Sequence, residues 1–110
     1  MQQALLIITS VADIDAAHRM ARMLVEQRLA ACVNIMPAVR SVYRWQEVIE
    51  EANEVTLLVK STQARYHELE AAIKAAHPYQ VPEIVAVPLV AGLPAYFNWI
   101  EAETKRELDV

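Results

Sequence analysis

The chain of 110 residues holds one glycine, Gly92, and one cysteine, Cys32. A single glycine excludes the common glycine-rich phosphate loops, which need several so that the backbone can approach a phosphate. A single cysteine excludes an internal disulfide and fits a reducing compartment. Positive charge is also scarce: the formal net charge is −4 and no basic cluster occurs, which disfavours nucleic-acid binding through phosphates. Unbroken apolar runs, such as Ile84 to Val87, fall far short of the ~20 residues of a membrane helix, so no membrane association is expected. The N-terminus lacks the basic region of a secretory signal.

Several kinds of chemistry are missing too. The spacings CxxC, HxxxH and HxxEH are absent, so no diagnostic metal motif is present. Met20, Met23 and Met36 are scattered in a way that suits core packing better than a thioether copper site. The hydroxyls of Ser41 and Ser61 have no evident base, and no Ser-His-Asp arrangement is readable. An acylphosphatase-like hydrolase would need an arginine-bearing anion cradle after the first strand. The stretch Thr9-Ser10-Val11-Ala12-Asp13 has none and ends acidic. The chain is therefore not expected to be an enzyme.

What is abundant is apolar surface. Apolar residues make up 55% of the chain, above the ~45–50% of ordinary globular domains, while charged residues hold at 22%. A second core would need roughly 50 residues of its own, so residues 1–110 are expected to form one domain. A domain so small cannot hide that much apolar surface, and an oligomer is expected.

The sequence also repeats itself. ALLIITS at 4–10 matches TLLVKST at 56–62, an offset of 52 residues. Ile14, Ala17, Ala21 and Leu24 share their spacing with Tyr66, Leu69, Ile73 and Ala76. That spacing lines one face of a helix, and Asp13 and Thr62 stand before the two stretches as candidate N-caps. CVNIMP at 32–37 and IVAVPL at 84–89 complete the register. Each half reads strand, helix, strand. Two such units joined by a hairpin give an α+β, ferredoxin-like fold: a four-stranded antiparallel sheet with two helices on one side. After Gly92 and Pro94, residues 95–107 read as an additional C-terminal helix, with Tyr96, Trp99, Ile100 and Glu103 on one side.

The segment from Pro37 to Val48 is rich in β-branched and aromatic residues, and the chain returns from Asn53 to Lys60. This places the turn between Val48 and Asn53. An arm of about 11 residues is on the order of 35 Å long, against an expected radius of gyration of ~13 Å. The hairpin must outrun its own domain. Alternation sets Val39, Ser41, Tyr43 and Trp45 on one face and Arg40, Val42, Arg44 and Gln46 on the other. An isolated ribbon exposing Tyr43 and Trp45 is marginal, whereas packing on sister subunits in a closed ring protects it.

Functional residues are sought where the halves differ. Lys60 falls on an otherwise apolar strand, at the position of Ile8 in the first half. It is read either as a strand-end lysine reaching solvent or as a cation lining a pocket. HPYQVPE at 77–83 replaces VEQRLAA at 25–31, and two prolines stiffen a loop bearing an imidazole, a phenol and a carboxylate. Cys32 opens a strand, where a lone cysteine is commonly an apolar filler. His18 and His67 read as surface residues.

With these segments assembled, the chain resembles the CutA divalent-cation-tolerance family. The segments that carry the likeness are LAACVNIMP at 29–37, SVYRWQ at 41–46, EVTLLVKST at 54–62, HPYQVPEIVAVP at 77–88 and YFNWI at 96–100. The resemblance implies a cytoplasmic homotrimer, related in architecture to the PII signalling trimers, whose long hairpins embrace neighbouring subunits. It implies tolerance of copper and other divalent metals, with no established enzyme activity. The family's motif positions fall on Cys32, Trp45, Lys60, His77, Tyr79, Pro82 and Glu83. Where members read W-x-G-K, this chain reads Trp45-Gln46-Glu47-Val48. Members with a copper site carry a cysteine and a second histidine where this chain has Ile8 and Ala76. That leaves His77 as the first copper candidate and Cys32 as the second. The alternative function is a PII-like sensor holding a small anionic metabolite between subunits. Lys60 would supply charge, Trp45 and Tyr79 apolar walls, and Glu83 orientation.

Overall fold

In β1 (Ala4–Val11), alternate residues Leu5, Ile7, Thr9 and Val11 are buried under the helices, as a strand with one helix-covered face requires. The computed structural model describes residues 2–106. After β1 come α1 (Ile14–Glu26), β2 (Cys32–Trp45), β3 (Val48–Thr62), a 3₁₀ turn (Gln63–Arg65), α2 (Tyr66–Ala76), β4 (Val85–Pro88) and α3 (Pro94–Glu103). The strands form one antiparallel sheet in the order β2-β3-β1-β4. This is the ferredoxin-like α+β arrangement, with the sequence repeat occupying the two halves. Among the described residues, no helix is long and apolar enough to cross a membrane.

Asp13 caps α1, accepting the Ala16 N–H at 2.8 Å. The buried stripe of α1 is Ala17, Met20 and Leu24, while Ile14 stays 41% exposed. Ile14 and Ala21 lie on one flank of that stripe and Met20 on the other, and the core takes the Met20 flank. Thr62 does not cap α2: it is extended and buried, a 3₁₀ turn follows it, and the helix starts only at Tyr66. Leu69 and Ile73 of α2 are fully buried, whereas Ala76 is exposed. Together with Val55, Leu57 and Val59 of β3, these residues form the core.

Helix α3 ends at Glu103, and residue 107 of the expected helix lies outside the described residues. The Thr104 hydroxyl donates to the Ile100 carbonyl at 2.8 Å, satisfying a carbonyl at the helix end. Of its expected apolar side only Ile100 is buried; Tyr96 and Trp99 remain exposed.

The hairpin turns back sooner than expected, at Trp45 rather than Val48, and by a shorter turn. Pairing runs to Trp45↔Val48, so the turn is Gln46–Glu47 and not the 48–53 stretch. Both turn residues have positive φ, 48° and 70°. A two-residue loop of this kind matches the twist of the flanking strands, which is why the ladder can continue to the tip. The arm projects as the sequence implies: the principal extents are 48 × 26 × 22 Å.

One irregularity organises the face of this arm. Between Met36↔Thr56 and Val39↔Glu54, β2 advances three residues while β3 advances two. The extra residue makes a bulge at Pro37–Ala38, on an edge strand where proline's missing N–H is tolerated. Cross-strand partners share a face. Before the bulge, Val33 and Ile35 pair with Val59 and Leu57 on the helix side. After it, Val39, Ser41, Tyr43 and Trp45 pair with Glu54, Ala52, Glu50 and Val48, on the side away from α1 and α2. That side also carries Leu6, Ile8, Leu58, Met36, Val85 and Val87, with Met36, Val85 and Val87 each more than 40% exposed.

Candidate functional site

The bulge puts Ser41, Tyr43 and Trp45 on the same sheet face as Glu54, and the loop after α2 folds against this region. His77 anchors that loop. It is buried, its Nε2 lies 2.6 Å from the Ser10 carbonyl, and its Nδ1 receives the Tyr79 N–H at 3.2 Å. A backbone donor on Nδ1 and a carbonyl acceptor at Nε2 fix the neutral tautomer with the proton on Nε2. The imidazole also packs on the Tyr79 ring, centroids 4.5 Å apart. Ser10 is engaged in turn, its hydroxyl 2.8 Å from that of Thr56.

From this anchor the Tyr79 hydroxyl reaches Glu54 and donates to its Oε2 at 3.3 Å. Partial burial, and then the neighbouring Glu54 carboxylate, push the Tyr79 phenol above its ordinary pKa. Tyr43 donates to Glu50 at 3.4 Å, and its phenol is raised too, first by loss of solvent and then by Glu50.

Between hairpin and loop lies a cavity of ≈ 680 Å³. Its walls are Ser41, Val42, Tyr43 and Trp45 of β2, Glu54 of β3, Ser10 of β1, and residues 79–83 of the loop. Of the residues singled out in the sequence, Trp45, Tyr79, Pro82 and Glu83 meet here. Glu54, Tyr43, Ser41 and Ser10 are additions. Glu54 could have been found by counting the ladder back from a two-residue turn at Gln46–Glu47, which brings it opposite Val39.

Lys60 stands elsewhere. It lies on β3 six residues beyond Glu54, on the side away from the hairpin tip, and is not among the residues that line this cavity. Its Nζ sits 5.6 Å from the Tyr96 ring centroid, a cation–π contact that accounts for a lysine on this strand. Cys32 pairs with Lys60 across the sheet and is half-buried. His77 is bonded to Ser10, whose partner Thr56 is four residues from Lys60, about 13 Å. Within one chain, His77 and Cys32 therefore cannot share an ion. Ile8 lies on the sheet face opposite α1 and α2, beside Val85, and Ala76 ends α2. Among the described residues no group of three or more His, Cys, Asp or Glu side chains could hold a metal.

The charge of the cavity is one-sided. Glu54 and Glu83 line it, and among the described residues no lysine, arginine or histidine does. An anion would find repulsion there and no partner. That removes the chemistry the anionic-metabolite reading assigns to Lys60 within one chain.

Comparison with known proteins agrees with the geometry. Residues 5–103 match the model of the family described as CutA1 divalent ion tolerance protein. The chain is 45% identical to the divalent-cation tolerance protein CutA of Thermus thermophilus over 89% of its own length and 95% of the relative's. It is 39% identical to the mouse protein CutA over 81% of its length, and it spans about half of that longer relative, 50%. The solved structure of the divalent cation tolerance protein from Thermus thermophilus superposes with a TM-score of 0.91 at 43% identity, covering 93% of this chain and 99% of that one.

Proposed function

The chain belongs to the CutA1 divalent ion tolerance family, and from that premise we propose that it acts in the response to divalent metal ions as a cytoplasmic homotrimer, by binding rather than by catalysis, with its ligands held in clefts between subunits. The observation that carries this reading is the apolar sheet face opposite α1 and α2. Leu6, Ile8, Met36, Leu58, Val85 and Val87 share one surface opposite α1 and α2, which α3 meets at its Lys60 end, next to an arm that outruns its own globule. Contiguous apolar surface of this kind belongs in an interface. Three copies in cyclic symmetry cover it while giving each arm a neighbour, and closure stops the contact from propagating. A single half-buried thiol with no disulfide supports a reducing compartment.

Copper is the metal proposed. Cupric ions favour imidazole nitrogen and cuprous ions favour sulfur. His77 is the first candidate ligand and Cys32 the second, and a site at His77 requires its Nε2 to leave the Ser10 carbonyl. Calorimetric titration of copper(II) into chelator-free protein tests this. Saturable binding is expected, weakened about tenfold or more in His77→Gln. Equal affinity in parent and variant would remove His77 from the role.

A further inference from the structure

We propose that the cavity between the hairpin and the 79–83 loop binds an organic ammonium cation, held by Glu54 and Glu83 against the rings of Tyr43 and Tyr79. The inference goes beyond the copper reading and does not depend on it.

Elimination by chemistry leads there. A volume of ≈ 680 Å³ lies within the ~300–1,000 Å³ usual for small-molecule sites, so the space suits a ligand larger than a bare ion. An anion is excluded by two carboxylates with no cationic partner in the lining. A hard divalent cation such as calcium wants six or more oxygen ligands, whereas no cluster of three metal-ligating side chains occurs among the described residues. A neutral apolar ligand would strip water from Glu54 and Glu83 and return nothing. An alkylated ammonium group answers both halves of the lining. Its charge meets the carboxylates and the negative faces of the rings, and its alkyl groups meet Val42, Val81 and Pro82.

The site is also built before any ligand arrives. His77 fixes the backbone and ring of Tyr79, and the Tyr79 hydroxyl ties to Glu54. One aromatic wall and one carboxylate are thus held in a single arrangement, which lowers the ordering cost of binding. His77 is on this account a positioning residue for the cavity.

The test is calorimetry on the full chain with tetramethylammonium chloride, with tert-butanol as a neutral probe of similar shape and sodium chloride as the ionic control. Tetramethylammonium should bind saturably and tert-butanol should not. Glu54→Gln and Tyr43→Leu should each weaken binding about tenfold. Where Tyr43→Leu fails to fold, Glu54→Gln carries the comparison, since it keeps shape and an acceptor for Tyr79 while removing the charge. Equal binding of tert-butanol, or unchanged affinity in Glu54→Gln, would overturn the proposal. A parent that sediments as a trimer yet takes up no tetramethylammonium, its cavity filled by a neighbouring copy, would overturn it while leaving the trimer intact. Uptake by a monomeric parent would uphold the site and refute the trimer.

Discussion

The inner and outer parts of the β2–β3 hairpin belong to one ladder yet have opposite commitments. Inside the bulge, Val33 and Ile35 face the helices with Val59 and Leu57, and the strand pair is welded into the core. Outside it, Ser41, Tyr43 and Trp45 face away from the helices, and residues 42–51 are all exposed. One extra residue at Pro37–Ala38 makes the difference, because side chains alternate with a period of two and a one-residue insertion exchanges the faces. A domain can therefore extend its own sheet into a surface for something else without disturbing its core.

The strongest way to break this contrast is to remove the extra residue. Deleting Ala38 should return Tyr43 and Trp45 to the helix side, abolishing both assembly and the cavity while the far-UV circular dichroism stays close to the parent's. Size-exclusion chromatography showing an unchanged oligomer would refute the role given to the bulge. Next in size, Leu57→Ala in the inner part should cost about 2–5 kcal/mol, since Leu57 is fully buried. Urea denaturation at fixed chain concentration measures it, and a cost below ~1 kcal/mol would mean that the inner ladder is not core. At the tip the sign reverses. Glu47 holds φ at 70°, a conformation that costs a side-chain-bearing residue ~1–2 kcal/mol, so Glu47→Gly should stabilise the protein by about 1 kcal/mol. Destabilisation would show that the Glu47 side chain makes a contact worth more than the strain.

The smallest effect is on titration. The Tyr79 phenol, raised by partial burial and by Glu54, should ionise above the ordinary tyrosine value of ~10. A raised folded-state value means that its contribution to stability is complete below pH ~10 and is lost as pH climbs through the folded value. Phenolate absorbance should show the Tyr79 step moving back toward ~10 in Glu54→Gln. A step that stays put would assign the shift to burial alone.

Much of this was legible in the sequence, and for physical reasons. The 52-residue repeat gave both strand-helix-strand units because buried alternation and helical spacing are written in residue order. Asp13 was readable as a cap because a cap is local. The turn was not, since Gln46–Glu47 lacks the glycine or asparagine that announces positive φ. Missing the turn hid the register, and with it the place of Glu54. Tyr79 and Glu83 stood out as departures from the repeat and Trp45 as an exposed hairpin aromatic, but Lys60 stood out too, and only the structure separates it from them. His77 stood out as a candidate ligand, while its carbonyl partner lies 67 residues away in sequence and is supplied by tertiary structure.

The central claim is that the outer hairpin and the apolar sheet face find their lasting contacts on sister chains. Sedimentation equilibrium at micromolar concentration tests it most directly. The account predicts a species of three times the 12.4 kDa chain mass with no folded lone chain beneath it. A well-folded 12.4 kDa species, with Trp45 freely quenched by iodide, would contradict it.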